Sequence, residues 1–258
     1  MAGLVADSLG LAPHWIYDTN QIESQFGRVN QMLKPSSDSY HHGQPLGGQT
    51  HTGHQTLVLW EALTKGIPFS EALHQFWQTS SSYKDRATKD FLAGSGGGSD
   101  ELAGASRLSA VVGHFASLEE ALPLVREQVL VTHSPKVADC AEKLTRVFYS
   151  LRSGNSVLSS LEKEFKGSAH LRKAQAVLHL EPVEAVARLG KDCKISSALP
   201  SVLYLLLVAK DYRESIIDNV MAGGDNAARG LILGSLLAAR FGPESVPSEW
   251  LESLVFSI

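Results

Sequence analysis

Met221-Ala-Gly-Gly-Asp-Asn-Ala-Ala-Arg-Gly230 runs directly into an apolar helical stretch, Leu231 to Phe241. Two glycines let a backbone turn tightly, and the Asp and Asn after them leave polar side chains and free amide groups facing a cleft. Only one carboxylate, Asp225, stands where chemistry would want two. The same alternation of polar turn and helical apolar face recurs along the chain. Apolar residues at spacings of three and four mark Ser70 to Thr79, Asp100 to His114, Leu118 to Thr132, Pro135 to Leu151 and Ser153 to Phe165. The pattern continues through His170 to Leu178, Pro182 to Leu189, Leu199 to Lys210, Tyr212 to Met221 and Ala227 to Phe241. Ser70, Ser117 and Ser134 mark helix starts, the last with Pro135 in its first turn. Alternating β-branched runs are missing. The spacing predicts an all-α chain of roughly ten to twelve helices in several layers.

Composition narrows the function classes. The 258 residues are 43% hydrophobic and 19% charged, with a net charge of −4, which gives no global attraction to nucleic acid or an anionic membrane. Leu199 to Ala209 is too short to span a bilayer and carries Pro200 and Ser201. No basic segment precedes an apolar one at the N-terminus, so the expected location is cytoplasmic. Cys140 and Cys193 lie far apart and read as reduced thiols. With no repeat and no linker, residues 1–258 read as a single domain.

Three irregular stretches carry the interest: Thr19 to Thr52, Ala93 to Ser99 and Gly223 to Asp225. Gly94-Ser-Gly-Gly-Gly-Ser-Asp100 precedes a helix expected from about Glu101. The amides of Gly96, Gly97, Gly98 and Ser99 at such a helix start suit a diphosphate, and a flexible connector explains the same glycines. The segment lacks the Lys-Ser/Thr ending of a Walker loop, and no strand precedes it.

Asp7-Ser-Leu-Gly10 with Pro13-His14-Trp15, then Ser99-Asp-Glu-Leu-Ala-Gly-Ala-Ser-Arg107, then Thr132-His-Ser-Pro135, then Ala222-Gly-Gly-Asp225 with Gly234 and Pro247 to Trp250 occur in that order. In that order they resemble the motifs of the ADP-ribosylglycohydrolases. The resemblance covers nearly the whole chain and implies an all-α, multi-layer orthogonal helical bundle. It also implies two magnesium ions in a central cleft, held by carboxylates and Thr hydroxyls, and a nucleotide-sugar or ADP-ribosylated substrate. The opening motif sits six residues in, so the first helix is short beside what the resemblance implies.

The metal motifs depart from the family pattern. The Thr-Asp-Asp-Thr element is best matched by Thr52-Gly53-His54-Gln55, without either acid. Ala227 and Ala228 replace the second Asp and the Thr of the closing motif, and His14 replaces a carboxylate of the opening one. Asp225 and Thr52 are the metal ligands left from that set. His41, His42, His51 and His54 crowd the long loop, with His14 and His133 in other motifs; imidazoles suit zinc, nickel or copper, and they also serve as loop or core hydrogen-bonding groups.

For a metal-free hydrolysis the candidate catalytic groups are Asp7, His54 and Asp225, with Asp100 and His133 as further acid and proton carrier. Asp7 and Asp100 are also read as helix-end residues. Ligand contacts are expected from residues 96–100, His133, Gly224, Asn226 and Arg229. Arg229 suits either a phosphate or an ion pair with a cleft acid. Cys193 reads as a small buried hydrophobe, though Lys191 and Lys194 are near it in sequence; His74 and Trp77 read as packing residues. The departures resemble the branch that holds jellyfish lens crystallins and related fish selenoproteins. Two functions stand: a cleft that binds and hydrolyses an ADP-ribosyl or related ligand, or an inactive structural protein or scaffold keeping the fold.

Overall fold

The computed structural model describes residues 1–256. Its helices, in chain order, are α1 (Ala2–Gly10), α2 (Thr19–Phe26), α3 (His51–Lys65), α4 (Phe69–Thr79), α5 (Arg86–Leu92), α6 (Ala103–Ser106), α7 (Leu108–His114) and α8 (Leu118–Leu130). There follow α9 (Pro135–Arg152), α10 (Val157–Phe165), α11 (Ala169–Ala176), α12 (Pro182–Leu189), α13 (Ile195–Val208), α14 (Tyr212–Met221), α15 (Asn226–Phe241) and α16 (Ser248–Glu252). Extended pairing among the described residues is confined to two isolated bridges, Ser99 with His133 and Glu101 with Lys194. No described helix is long and apolar enough to cross a membrane.

Helix α15 is the axis. Every residue from Asn226 to Leu237 is buried, because apolar side chains project on all sides and each needs a covering neighbour. Helices α1, α3, α7, α9, α13 and α14 supply the cover. The α1 seam is the tightest. A Cβ on Gly234 would stand 2.7 Å from the Ala2 carbonyl oxygen and 3.1 Å from Ala6 Cβ, and one on Gly3 would stand 2.6 Å from the Leu231 oxygen. Small residues therefore set the α1–α15 spacing, and through it the position of Asp7 and of the turn after α1.

Three boundaries differ from the sequence reading. Helix α3 starts at His51, just inside the stretch read as irregular to Thr52, because the Thr50 hydroxyl accepts from the amides of Thr52 and Gly53 at 3.1 and 3.3 Å. The long loop is interrupted by α2, capped by Asp18, whose only buried residue is Ile22 and which therefore shows no periodic face. The expected helix from Asp100 is broken. Leu102 N donates to Cys193 O at 2.7 Å and Ile195 N to Asp100 O at 3.0 Å, so this backbone is pinned to the start of α13 and helix resumes only at Ala103.

Filling the seam is expected to overpack it. Gly234→Val should destabilise the protein by about 1–3 kcal/mol, read as a lower urea midpoint at an unchanged slope. A variant as stable as the parent would refute this account of the α1–α15 spacing.

Candidate functional site

The site is built where α1, the start of α3, the start of α5 and the start of α15 converge. Asp7, fully buried on α1, accepts from Thr50 N at 2.8 Å and Thr50 Oγ1 at 2.7 Å. With its amide nitrogen turned inward, Gln49 donates to Asp7 Oδ2 at 3.1 Å. A Cβ on Gly53 would fall 2.2 Å from the same oxygen, so the carboxylate needs a residue without one there. Burial pushes the Asp7 carboxyl up to about 6 against the Thr50 hydrogen bonds and His51, with Asp225 adding to the rise.

Past α1 the chain turns through His14 and Trp15. Trp15 has φ of +64°, sparsely populated for a bulky residue, and its N–H donates to the Gly224 oxygen at 3.0 Å. Gly224 N returns a bond to Ile16 O at 2.8 Å. This clasp joins the opening and closing motifs, and Gly223 and Gly224, both at positive φ, make its sharp corner. Asp225 caps the corner with its amide on Lys191 O at 2.9 Å. Its buried carboxyl is pushed up by desolvation, against the pull of Arg229 and His51.

Three imidazoles meet beside Asp225. His14 Nδ1 is 2.9 Å from Asn226 Oδ1, and its Nε2 lies 4.0 Å from Asp225 Oδ1. His51, the first residue of α3, holds Nε2 3.5 Å from Asp85 Oδ2, and its ring stacks on His41 at 5.5 Å between centroids with an 11° interplanar angle. Burial lowers His14 to about 3, with His51 adding to the effect. Burial would lower His51 too, but Asp85, Asp225 and Asp7 together push it up. Asp85, in turn, is held well below the carboxylate range by His51 and Thr88 despite its burial. Trp15 lies over the cluster, its ring 4.4 Å from His14 and 5.2 Å from His51, and Tyr40 and Tyr83 close on it edge-on at 5.2 Å.

The remaining expected residues are dispersed. Gly96 and Gly98 are exposed, Gly97 and Ser99 are half-buried, and no helix starts at Glu101, so the helix dipole expected behind a diphosphate is missing there. Asp100 accepts from Ser134 and Lys136 at the N-terminus of α9, a helix-end role. His133 packs on Gly104, pairs Nδ1 with Thr132 Oγ1 at 2.7 Å and is lowered to about 3 by burial. His54 is on the face of α3 toward Phe76 and a groove lined by Gln44, Thr79 and Ser80–Ser82, away from Asp225's corner. Arg229, fully buried, donates from Nε to Asn219 Oδ1 at 3.1 Å and from Nη2 to Gly223 O at 2.7 Å. It braces the glycine corner, and no carboxylate is within salt-bridge distance among the described residues. Asn226 ties to Gly10 O at 3.3 Å. His74 is exposed and pairs with Gln78, whereas Trp77 is core. Cys193 is half-buried, its thiol donating to Glu101 at 3.3 Å and pushed up to about 12 by burial and that carboxylate.

Sequence reasoning missed Asp85 and Glu101. Glu101 accepts from the Cys193 thiol and is raised by burial, with the charges of Asp85 and Asp225 adding to the rise. Asp85 carries one local signal, an Asp three residues ahead of Thr88, whose amide it caps at 2.7 Å.

The donor set does not fit a magnesium pair. A hard cation takes about six oxygens. Here both Asp7 oxygens are engaged, Thr52 Oγ1 lies 3.4 Å from His51 Nε2, and positions 227 and 228 are buried alanines.

Residues 1–256 match the family model described as ADP-ribosylglycohydrolase. The chain is 28% identical over 146 residues to the ADP-ribosyl-[dinitrogen reductase] glycohydrolase of Rhodospirillum rubrum, a match spanning 56% of this chain and 46% of that protein. It is 21% identical to Crystallin J1A of Tripedalia cystophora over 97% of this chain and 89% of that one. Among solved structures, an ADP-ribosylglycohydrolase-related protein complex superposes with a TM-score of 0.78 at 21% identity, covering 98% of this chain and 89% of its own, a likeness of fold.

Asp7 gives a pH test. Its folded pKa lies above the unfolded value of 3.8, so its contribution to stability is full below about pH 4 and is lost as pH rises through about 6. The stability difference between wild type and Asp7→Asn should shift by about 2 kcal/mol against the wild type from pH 4 to pH 7. Urea titrations at the two pH values measure it; a pH-independent difference would show that Asp7 titrates normally.

Proposed function

The chain belongs to the ADP-ribosylglycohydrolase family, and from that premise we propose that its central site binds an ADP-ribosyl or related nucleotide-sugar ligand and hydrolyses its glycosidic bond with Asp225 as the acid–base group. The observation that carries this reading is a set of buried polar atoms without partners around Asp225: His14 Nε2, His51 Nδ1 and Arg229 Nη1. Each such atom costs on the order of 1–3 kcal/mol when left unpaired. A chain kept only for its fold gains nothing from them, whereas a site that receives a polar ligand does.

Asp225 suits the role because burial raises its carboxyl toward the working range of a general acid or base. In the proposed step it takes a proton from a water attacking the anomeric carbon. The glycosidic bond breaks, and the leaving atom regains the proton from Asp225. Asp7 acts here as a positioning residue, since Thr50 and Gln49 occupy its oxygens. The Rhodospirillum rubrum relative acts, by its name, on an ADP-ribosyl group carried by a protein, which supports a ligand of that class.

A second reading has its own observation. Trp15, with Tyr40 and Tyr83, packs over the imidazoles beside Asp225, as a protein that has given up its ligand would allow, and the likeness to Crystallin J1A runs along nearly the whole chain. The two readings part in solution. ADP-ribose at a hundred times its Kd should stabilise the protein by about 2.7 kcal/mol, seen as a higher Tm. Asp225→Asn should keep that shift and lose hydrolysis of an ADP-ribosylated substrate. No shift at millimolar ADP-ribose, with no hydrolysis by the wild type, would favour the inactive fold.

A further inference from the structure

We propose that His14, His41 and His51 form a three-imidazole centre for a borderline divalent cation, with zinc as the reference ion, where the family pattern calls for oxygen-ligated magnesium. The three residues come from separate parts of the chain: the turn after α1, the long loop before α3, and the first residue of α3. One ligating nitrogen from each lies within 4.8 Å of the other two, and all three residues are 3–4% exposed. Tetrahedral zinc with bonds of about 2.1 Å sets its nitrogens roughly 3.4 Å apart, so the rings close on an ion by small rotations rather than by refolding.

Each ring can present one nitrogen to a cation, His51 by releasing a proton as metal-binding imidazoles do. Asn226 Nδ2 donates to Gly10 O, which fixes the amide and turns its Oδ1 toward His14 Nδ1. His14 must therefore carry its proton on Nδ1, leaving Nε2 free, and Nε2 has no partner. His51 presents Nε2 to Asp85, which leaves Nδ1 as its ligating atom, also unpartnered. His41 Nε2 completes the set, buried and unpartnered. A carboxylate behind one ligand and an amide oxygen behind another are the partners that orient metal-binding imidazoles.

The surroundings favour a cation. Asp85 lies 3.5 Å from His51 Nε2 and Asp225 4.0 Å from His14 Nε2, the charge of Asp7 also acts on His51, and Arg229 is the basic group that acts on His14. Nitrogen donors select zinc and later transition ions over magnesium, which holds oxygen ligands and water. Three protein ligands leave a fourth position open, and Asp225, 4.0 Å from His14 Nε2, stands within reach of it. Stacking of His41 on His51 and Trp15 explains their packing but leaves three buried nitrogens unpaired; a bound cation pairs all three. The centre takes His14 Nε2 and His51 Nδ1 from the unpartnered atoms at the site and leaves Arg229 Nη1 to the ligand, and it does not depend on the identity of any nucleotide-sugar ligand.

The test uses the full chain, stripped with a chelator and titrated with zinc by calorimetry, with cobalt(II) by visible absorption, and with magnesium. One zinc should bind per chain with micromolar or tighter affinity, cobalt(II) should develop the intense bands of a tetrahedral site, and magnesium should give no saturable heat. His41→Gln, at a ring with no side-chain hydrogen bond among the described residues, should weaken zinc at least ten-fold. Asp85→Asn keeps the oxygen that caps α5, so it separates folding from ligation, and it should weaken zinc by about 10–100-fold. No zinc or cobalt binding, magnesium binding in their place, or zinc affinity unchanged in both variants would overturn the proposal.

Discussion

The buried carboxylate of Asp7 holds the site together. It sits against the N-terminus of α3, where unpaired amides and the helix dipole favour negative charge, and it accepts two bonds from the cap residue itself. Hydrogen bonds to an ionised group are about twice as strong as neutral ones. One side chain on α1 therefore decides where α3 begins, and His51 is the first residue after that beginning. The bare α-carbon of Gly53 is the matching requirement, since any side chain there would displace the carboxylate. Asp7 is thus positioned by α15 from behind, through the small-residue seam, and positions α3 in front.

Two buried guanidiniums show how the chain holds polar loops without ion pairs. Arg107 donates from Nε to Gln128 Oε1, from Nη1 to Gln55 Oε1 and from Nη2 to Thr132 Oγ1, at 2.6 to 2.9 Å, and lies 5.1 Å from the Phe69 ring. Burial lowers it to about 10, so it stays charged at neutral pH. It joins α3 to α8 and to the Thr-His turn. Arg229 does the same for the glycine corner with backbone oxygens. Planar five-donor groups suit this work because they reach several acceptors at once. Their charge also offsets the site carboxylates at a distance, without neutralising any one of them.

Much of this fold is legible in the chain because helical periodicity and cap residues are local. The long amphipathic helices, the capping serines and the order of the four family motifs all follow from neighbouring residues. Thr50 was less legible than Thr52, because a cap is known by the amide it faces and not by its type. The site was legible in part. Asp225, Asp7 and a crowd of histidines stand out, yet which three of ten histidines converge depends on where the long loop lands. Asp85 carries only a capping signal and joins the site because α5 folds onto it, and Glu101 sits inside the Ser99 to Arg107 motif without a role read for it there. The glycine run before Asp100 misled for the same reason: its amides look available in sequence, but the chain after them is pinned to α13.

The substitutions at the site form one consistent change. Ala227 and Ala228 stand where the resemblance implies an acid and a hydroxyl in the first turn of α15, and both are fully buried in the core. Restoring an acid at 227 without a cation would set a second carboxylate beside Asp225, whose own carboxyl is already raised by burial. The repulsion and desolvation would then fall on the glycine corner that joins the opening and closing motifs. Imidazoles at 14, 41 and 51 add no further negative charge beside Asp225. The proposed three-imidazole centre leaves the α1–α15 seam and the clasp at Gly224 to be set by other atoms. That separation is physical: the seam depends on small side chains, the clasp on backbone bonds, and neither on the atoms that would touch a metal.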